Sequence, residues 1–113
     1  CTADEAAALV RPGATVASVG VIGWIVPDAL LEALGRRFRE QGAPRDCTFY
    51  FPCGTGDAMG IKGMDHVAIE GLMKRIVSGS YINPLDPATG KRPELMRLIR
   101  ENRIEAYSWP IGA

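Results

Sequence analysis

The stretch that most constrains this chain runs from Thr15 to Leu30 and reads TVASVGVIGWIVPDAL. A β-branched run, Thr15 to Val19, climbs to a glycine turn at Gly20 and Gly23, and Pro27 then admits a helix. A buried strand feeding a glycine turn feeding a helix is how open parallel sheets bring backbone up to a ligand. Glycine tolerates positive φ there and leaves room for a ligand to approach. A tight turn with no ligand fits the same spacing, so both readings stay open. Gly20-x-x-Gly23 departs from G-x-G-x-x-G, which makes a dinucleotide site a poor reading.

Upstream, Thr2-Ala3-Asp4-Glu5 has the spacing of a capping box and predicts a helix that stops by Pro12-Gly13. In the helix after Pro27, Asp28 suits the first turn. Leu30, Leu31, Leu34 and Phe38 fall on one face, Glu32, Arg36, Arg37 and Glu40 mostly on the other, and Gly42 and Pro44 end it. Cys47-Thr48-Phe49-Tyr50-Phe51 predicts a second strand, followed by a glycine-rich loop over 52–64. Asp65 is the expected N-cap of a helix over His66–Leu72, and Arg75–Ser80 the third strand. A turn-rich excursion over 83–93 leads to an amphipathic helix from Glu94, with Leu95, Leu98 and Ile99 inward and Asn102 as breaker. Ile104–Trp109 is the fourth strand.

Strand-like and helical runs alternate, at connections too long for hairpins. That predicts parallel βαβ units with helices on both faces. Ligands of such sheets bind outside the carboxyl ends of the strands, so both glycine loops would line one crevice. Four parallel strands with so apolar an edge strand imply more sheet alongside, contributed by the rest of a longer chain, and marginal stability for this chain alone. The missing initiator methionine also reads as a fragment.

Composition narrows the function classes. In 113 residues, thirteen basic and thirteen acidic side chains cancel, leaving no field that favours nucleic acid or an anionic membrane. No apolar run reaches membrane-spanning length, and no leader pattern is present. Three cysteines, Cys1, Cys47 and Cys53, read as reduced thiols of a cytoplasmic protein. Cys47 is expected to be a buried small hydrophobe. Cys53 opens the Cys53-Gly54-Thr55-Gly56 loop, but a nucleophile needs a base and the sole histidine, His66, lies in another segment. His66 beside a cap reads as structural, and no metal-ligand pattern is present.

The motifs together resemble those of the family I coenzyme A transferases. In that family a DG-x-T-hydrophobic segment leads to Gly-Gly-Phe and then Gly-x-Pro; Gly13, Thr15, Gly20, Gly23 and Pro27 match in register. APRDCTFYF is similar to an HPRDLTLVF-type strand, and CGTGD to an AGQGD loop. MDHVAIEGLMKRIVSGS resembles NH-x-A-x-EGL-x-KR, and NRIEAYSWPIG resembles NKIEAYNLPQG. The likeness spans nearly the whole chain and is nearest the long single-chain acetate, propionate and 3-ketoacid transferases.

The resemblance implies a three-layer α/β/α fold with a mainly parallel sheet, shared with sugar-phosphate isomerases and incomplete in this chain. Residues 1–113 would be the amino-terminal part of a transferase domain. Family enzymes move coenzyme A from an acyl-CoA to an acceptor carboxylate through a glutamate nucleophile in the carboxyl-terminal half. The resemblance therefore implies no catalytic residue here, no permanently bound cofactor, a coenzyme A thioester and a small carboxylate as substrates, the carboxyl-terminal half as partner, and a homo-oligomer. Asp28, Glu32, Glu70 and Glu105 read as cap, solvated-face or strand charges. Substrate-binding residues would be Gly20, Gly23, Trp24, Gly54, Thr55, Gly56, Ile111 and Gly112.

Departures from the family pattern are informative. Val19 and Val21 replace the first glycine and the phenylalanine of Gly-Gly-Phe, and Ile25 the glycine of Gly-x-Pro. Thr55 stands for glutamine, Asp65 for asparagine, and Ile111 for the glutamine of Pro-Gln-Gly. Isoleucine offers no donor to a carboxylate, so the expected acyl pocket is bulkier or more apolar, with Trp24 and Trp109 as walls. Residues 86–93 read as a surface insertion. A non-catalytic ligand-binding or sensor domain on the isomerase-like fold is the alternative, and an interaction fragment pairing through its open sheet edge is a third reading.

Overall fold

Parallel strands exchange evenly spaced, slanted hydrogen bonds and need a long crossover between partners. In a computed structural model of the protein, which describes residues 1–19, 26–51, 63–79 and 94–109, every strand pairing is of this kind. Strands β1 (Thr15–Ala17), β2 (Cys47–Phe51), β3 (Met73–Ser78) and β4 (Glu105–Ser108) lie in the order β1-β2-β3-β4. Helices α1 (Ala3–Ala7), α2 (Asp28–Gln41) and α3 (Glu94–Arg100) and a 3-10 turn, Gly63–His66, complete the described elements. The α/β class and the parallel sheet agree with the expectation from the sequence.

The order of the strands decides where the helices go. Strands that step in one direction, joined by right-handed crossovers, place every connection on the same face. The described helices accordingly touch in series: α1 on α2, α2 on the 3-10 turn, and that turn on α3. Under them, Cys47, Phe49 and Phe51 of β2 are fully buried, while Thr48 and Tyr50 between them are half-buried. Val16, Phe49 and Ile76 stand in register on the covered face; Ala17, Tyr50, Val77 and Tyr107 align on the other. Helices were expected on both faces; the described ones form a single layer, and a second layer is not among the described residues.

Local chemistry sets most boundaries. Thr2 caps α1, its Oγ1 accepting the Glu5 N–H at 3.1 Å as the capping-box spacing requires. The helix ends at Ala7, earlier than Pro12-Gly13 suggested, and Arg37 of α2 donates to the carbonyls of Ala7 and Val10 at 2.8 Å. That guanidinium takes over acceptors that the end of a helix leaves open. α2 starts after Pro27 and ends at Gly42, which donates to the Phe38 carbonyl at 2.8 Å. Leu31 and Leu34 are buried and Phe38 is partly buried, but Leu30 is 46% exposed, contrary to its place on the expected core face. It borders an apolar groove of about 380 Å³ between α1, β1 and α2, lined also by Ala6, Val10, Val16, Val19 and Leu34.

The helix expected over His66–Leu72 is not formed. Gly71 has φ 97, outside the helical region, and the N–H groups of Leu72 and Met73 both return to the Ile69 carbonyl before the chain enters β3. What remains is the single 3-10 turn Gly63–His66, pressed against α2 at Gly35. A Cβ at Gly35 would stand 2.1 Å from the His66 carbonyl oxygen, so only glycine allows this approach. Gly35→Ala is expected to cost about 1–3 kcal/mol in equilibrium urea unfolding, the usual range for overpacking a fitted contact. A loss below a few tenths would show that the turn can back away freely.

Candidate functional site

A parallel sheet gathers all its carboxyl ends on one edge. Here that edge is marked by Ser18 and Val19 after β1, Phe51 at the end of β2, Ser78 and Gly79 at the end of β3, and Ser108 and Trp109 after β4. The residues singled out from the sequence hang from these exits. Gly20, Gly23 and Trp24 follow Val19; Gly54, Thr55 and Gly56 follow Phe51, as does Cys53; Ile111 and Gly112 follow Trp109. All of them lie outside the described residues, so the described site consists of the positions from which they depart and to which the chain returns.

Those positions are tied together at β2. The Ser18 N–H donates to the Tyr50 carbonyl at 3.0 Å, carrying the β1 ladder one residue past the strand. The Tyr50 ring meets Trp109 edge-on, with centroids 6.1 Å apart and planes at 75°, a favourable aromatic geometry. The Trp109 N–H donates to the Ser78 carbonyl at 3.1 Å. Trp109, an expected pocket wall, therefore stands at this edge and remains 49% exposed. Arg75 lies over the Tyr107 ring on the same sheet face and pairs with Glu105 at 2.7 Å, which accounts for Glu105 as a strand charge.

Two contacts at the returning ends were not anticipated. Asp65, expected to cap its own helix, sits inside the 3-10 turn and accepts instead from the N–H groups of Glu94 and Leu95 at 3.0 and 3.2 Å, capping α3 from outside. His66 Nε2 lies 3.1 Å from Oδ1 of Asp28 in the first turn of α2. Asp28, Glu32 and His66 place their ligand atoms within 4.8 Å of one another, the one such cluster among the described residues. Glu32 is exposed and also faces Arg36 at 3.8 Å, while Asp28 engages the imidazole of His66. Linear spacing carries no signal for either contact.

Comparison with known proteins finds coenzyme A transferases similar to this chain. No protein-family model matches the chain. It is 30% identical over 112 residues to acetate CoA-transferase YdiF of Escherichia coli strain K12, covering 98% of this chain and 19% of that protein. The acetate CoA-transferase YdiF of Escherichia coli O157:H7 matches to the same extent. The crystal structure of the acyl-CoA transferase YdiF apoenzyme from Escherichia coli O157:H7 superposes with a TM-score of 0.84 at 29% identity, covering 99% of this chain and 20% of that one. The thioester complex of the same transferase with CoA gives 0.81 at 27% identity over the same shares. The chain thus spans about a fifth of the relatives it matches. The resemblance to coenzyme A transferases read from the motifs is borne out in sequence and in fold. No described helix is long and apolar enough to cross a membrane.

Cys47, the buried thiol expected from the sequence, is fully enclosed beneath α2, with Sγ 3.7 Å from the Arg11 carbonyl and 3.8 Å from that of Arg45. Burial pushes its pKa above the ordinary thiol value, since the thiolate would lose its hydration. The folded state therefore favours the protonated thiol. That contribution is fully present below the unfolded thiol value and is lost as pH rises through the raised one. Iodoacetamide at neutral pH is expected to label exposed Cys1 while sparing Cys47 until the chain unfolds. Modification of Cys47 at the rate of a free thiol in native protein would contradict its placement.

Proposed function

We propose that this chain is the amino-terminal part of a coenzyme A transferase, which moves coenzyme A from an acyl-CoA to an acceptor carboxylate. One observation carries the reading: the described fold is similar to that of a transferase whose structure is known as a thioester complex with CoA. In such a reaction a glutamate attacks the thioester carbonyl and expels the CoA thiolate, giving a mixed anhydride; the thiolate then attacks the glutamyl carbonyl, releasing the acyl group as a carboxylate and leaving a glutamyl-CoA thioester. This chain's part is to shape and dry the acyl and acceptor pocket. Developing oxyanion charge is best met by preorganised backbone N–H groups in a water-poor site, and glycine-bearing loops at strand ends can supply them. The nucleophile is assigned to the carboxyl-terminal half. Among the described carboxylates, Asp28 is engaged with His66, Asp65 with α3, Glu105 with Arg75 and Glu70 with Arg103 at 3.5 Å. Each of these four carboxylates is thus already engaged within the fold.

Gly20, Gly23, Trp24, Gly54, Thr55, Gly56, Ile111 and Gly112 are the proposed substrate-contacting residues, with Trp109, two residues before Ile111 in the sequence, at the edge. Support comes from their sequence position directly after strand ends that share one edge. The full-length gene product is expected to exchange coenzyme A between acetyl-CoA and short carboxylates. Ile111→Gln should raise kcat/KM for short, polar acceptors relative to bulky apolar ones by about tenfold or more, the scale on which one pocket contact discriminates. An unchanged acyl preference would remove Ile111 from the pocket.

A further inference from the structure

Asp28 and Glu32 stand four residues apart in α2, so the helix carries both carboxylates on one face. The 3-10 turn Gly63–His66 packs against α2 and brings His66 Nε2 to 3.1 Å from Asp28 Oδ1. With Glu32 included, one imidazole nitrogen and two carboxylate oxygens fall within 4.8 Å of one another. Ligand atoms about 2.0–2.2 Å from a shared cation lie roughly 2.9–3.6 Å apart along the edges of its coordination shell. The Asp28–His66 distance is already such an edge, and the exposed Glu32 side chain can close the third corner by rotation. We propose that Asp28, Glu32 and His66 form a binding site for a divalent transition-metal cation of the zinc class, which pins the turn to α2.

The donor set selects the cation. Imidazole suits zinc, cobalt and nickel, whereas calcium and magnesium take shells of oxygen. Three protein donors leave a coordination position for water, as in open zinc sites. The imidazole is held in place from behind: its side chain is 16% exposed, and the His66 carbonyl is seated on Gly35 of the helix that bears both carboxylates. Charge also favours a cation. The start of a helix opposes one, and the two negative charges of Asp28 and Glu32 reverse that sign locally. Arg36, which competes for Glu32, reaches it only at 3.8 Å and is itself held by Asp4 at 2.5 Å. Binding therefore displaces no more than a weak surface pair. A metal at Nε2 replaces the hydrogen bond to Asp28, and the neutral ring then carries its proton on Nδ1. Local spacing hides this set, because His66 and Asp28 are 38 positions apart.

The site does not depend on the transferase reading, and metal binding is measured without coenzyme A. The test is calorimetric titration of the EDTA-stripped full-length protein with Zn²⁺, and with Mg²⁺ and Ca²⁺ for comparison. Saturable Zn²⁺ binding in the micromolar range or tighter is expected, with far weaker binding of the other two. E32A changes an exposed position, and H66Q keeps an amide that can donate to Asp28 but ligates metal poorly. Each should weaken Zn²⁺ binding by about tenfold or more. In EDTA both variants should melt as the wild type does, while added Zn²⁺ should raise the Tm of the wild type alone. If H66Q does not fold, E32A makes the comparison. Co²⁺ in place of Zn²⁺ should give visible ligand-field bands without a near-ultraviolet thiolate band, which separates this nitrogen and oxygen site from binding at cysteine. Equal Zn²⁺ affinity in wild type, E32A and H66Q would overturn the proposal. So would a thiolate spectrum, a preference for Mg²⁺ or Ca²⁺, or no saturable binding of Zn²⁺.

Discussion

Parallel pairing in sequence order is the constraint on which the rest of this structure depends. Once β1, β2, β3 and β4 lie side by side in that order and one direction, right-handed crossovers have a single face to occupy. The described helices form one connected layer, and Phe49, Phe51 and Ile76 of the sheet and Leu98 of α3 are fully buried between the two. The same constraint sends every strand exit to one edge. Chain segments that are distant in sequence thereby share a boundary, which is the arrangement that lets loops from separate units build one pocket. Function, in this fold, is a consequence of strand direction.

Within that frame the closest fit is between the 3-10 turn and α2. Gly35 has no side chain, so the His66 carbonyl can rest on the helix backbone, and from that seat one residue reaches α2 while its neighbour reaches α3. The core beneath is apolar and nearly directionless; these polar contacts supply direction. They also meet the first turns of α2 and α3, so the starts of two helices are tied to a single turn. The opposite face of the sheet, with Tyr50, Tyr107 and Trp109 half-open, carries the aromatic contact that links the β2 and β4 exits.

Much of this was legible in the sequence where a local rule applied. Thr2 and Glu5 announced their cap, the alternating run Cys47–Phe51 marked a strand to the residue, and Asn102 ends α3's turn with φ 57, as a breaker should. The motif order carried the family resemblance and placed the candidate site on loops. The failures have a common physical cause, which is tertiary contact. His66 and Asp28 are 38 positions apart, and Asp65 and Glu94 are 29 apart, so no periodicity or cap rule could join them. A helical pattern over His66–Leu72 lost to Gly71 and to the need to enter β3, while Leu30 was left exposed beside a groove that only the packing of α1 creates. Strand order, which brings the described helices into one connected layer, is not specified by the alternation of elements.

We propose that the carboxyl edge of this sheet forms part of an acyl-CoA pocket. A crystal structure of the full-length protein with a non-hydrolysable acyl-CoA analogue bound tests it most directly. The account predicts the acyl group at that edge, contacting residues within 20–25 and 52–62 and lying beside Ile111. An acyl group bound at the amino edge of the strands, or in the groove between α1 and α2, would contradict it.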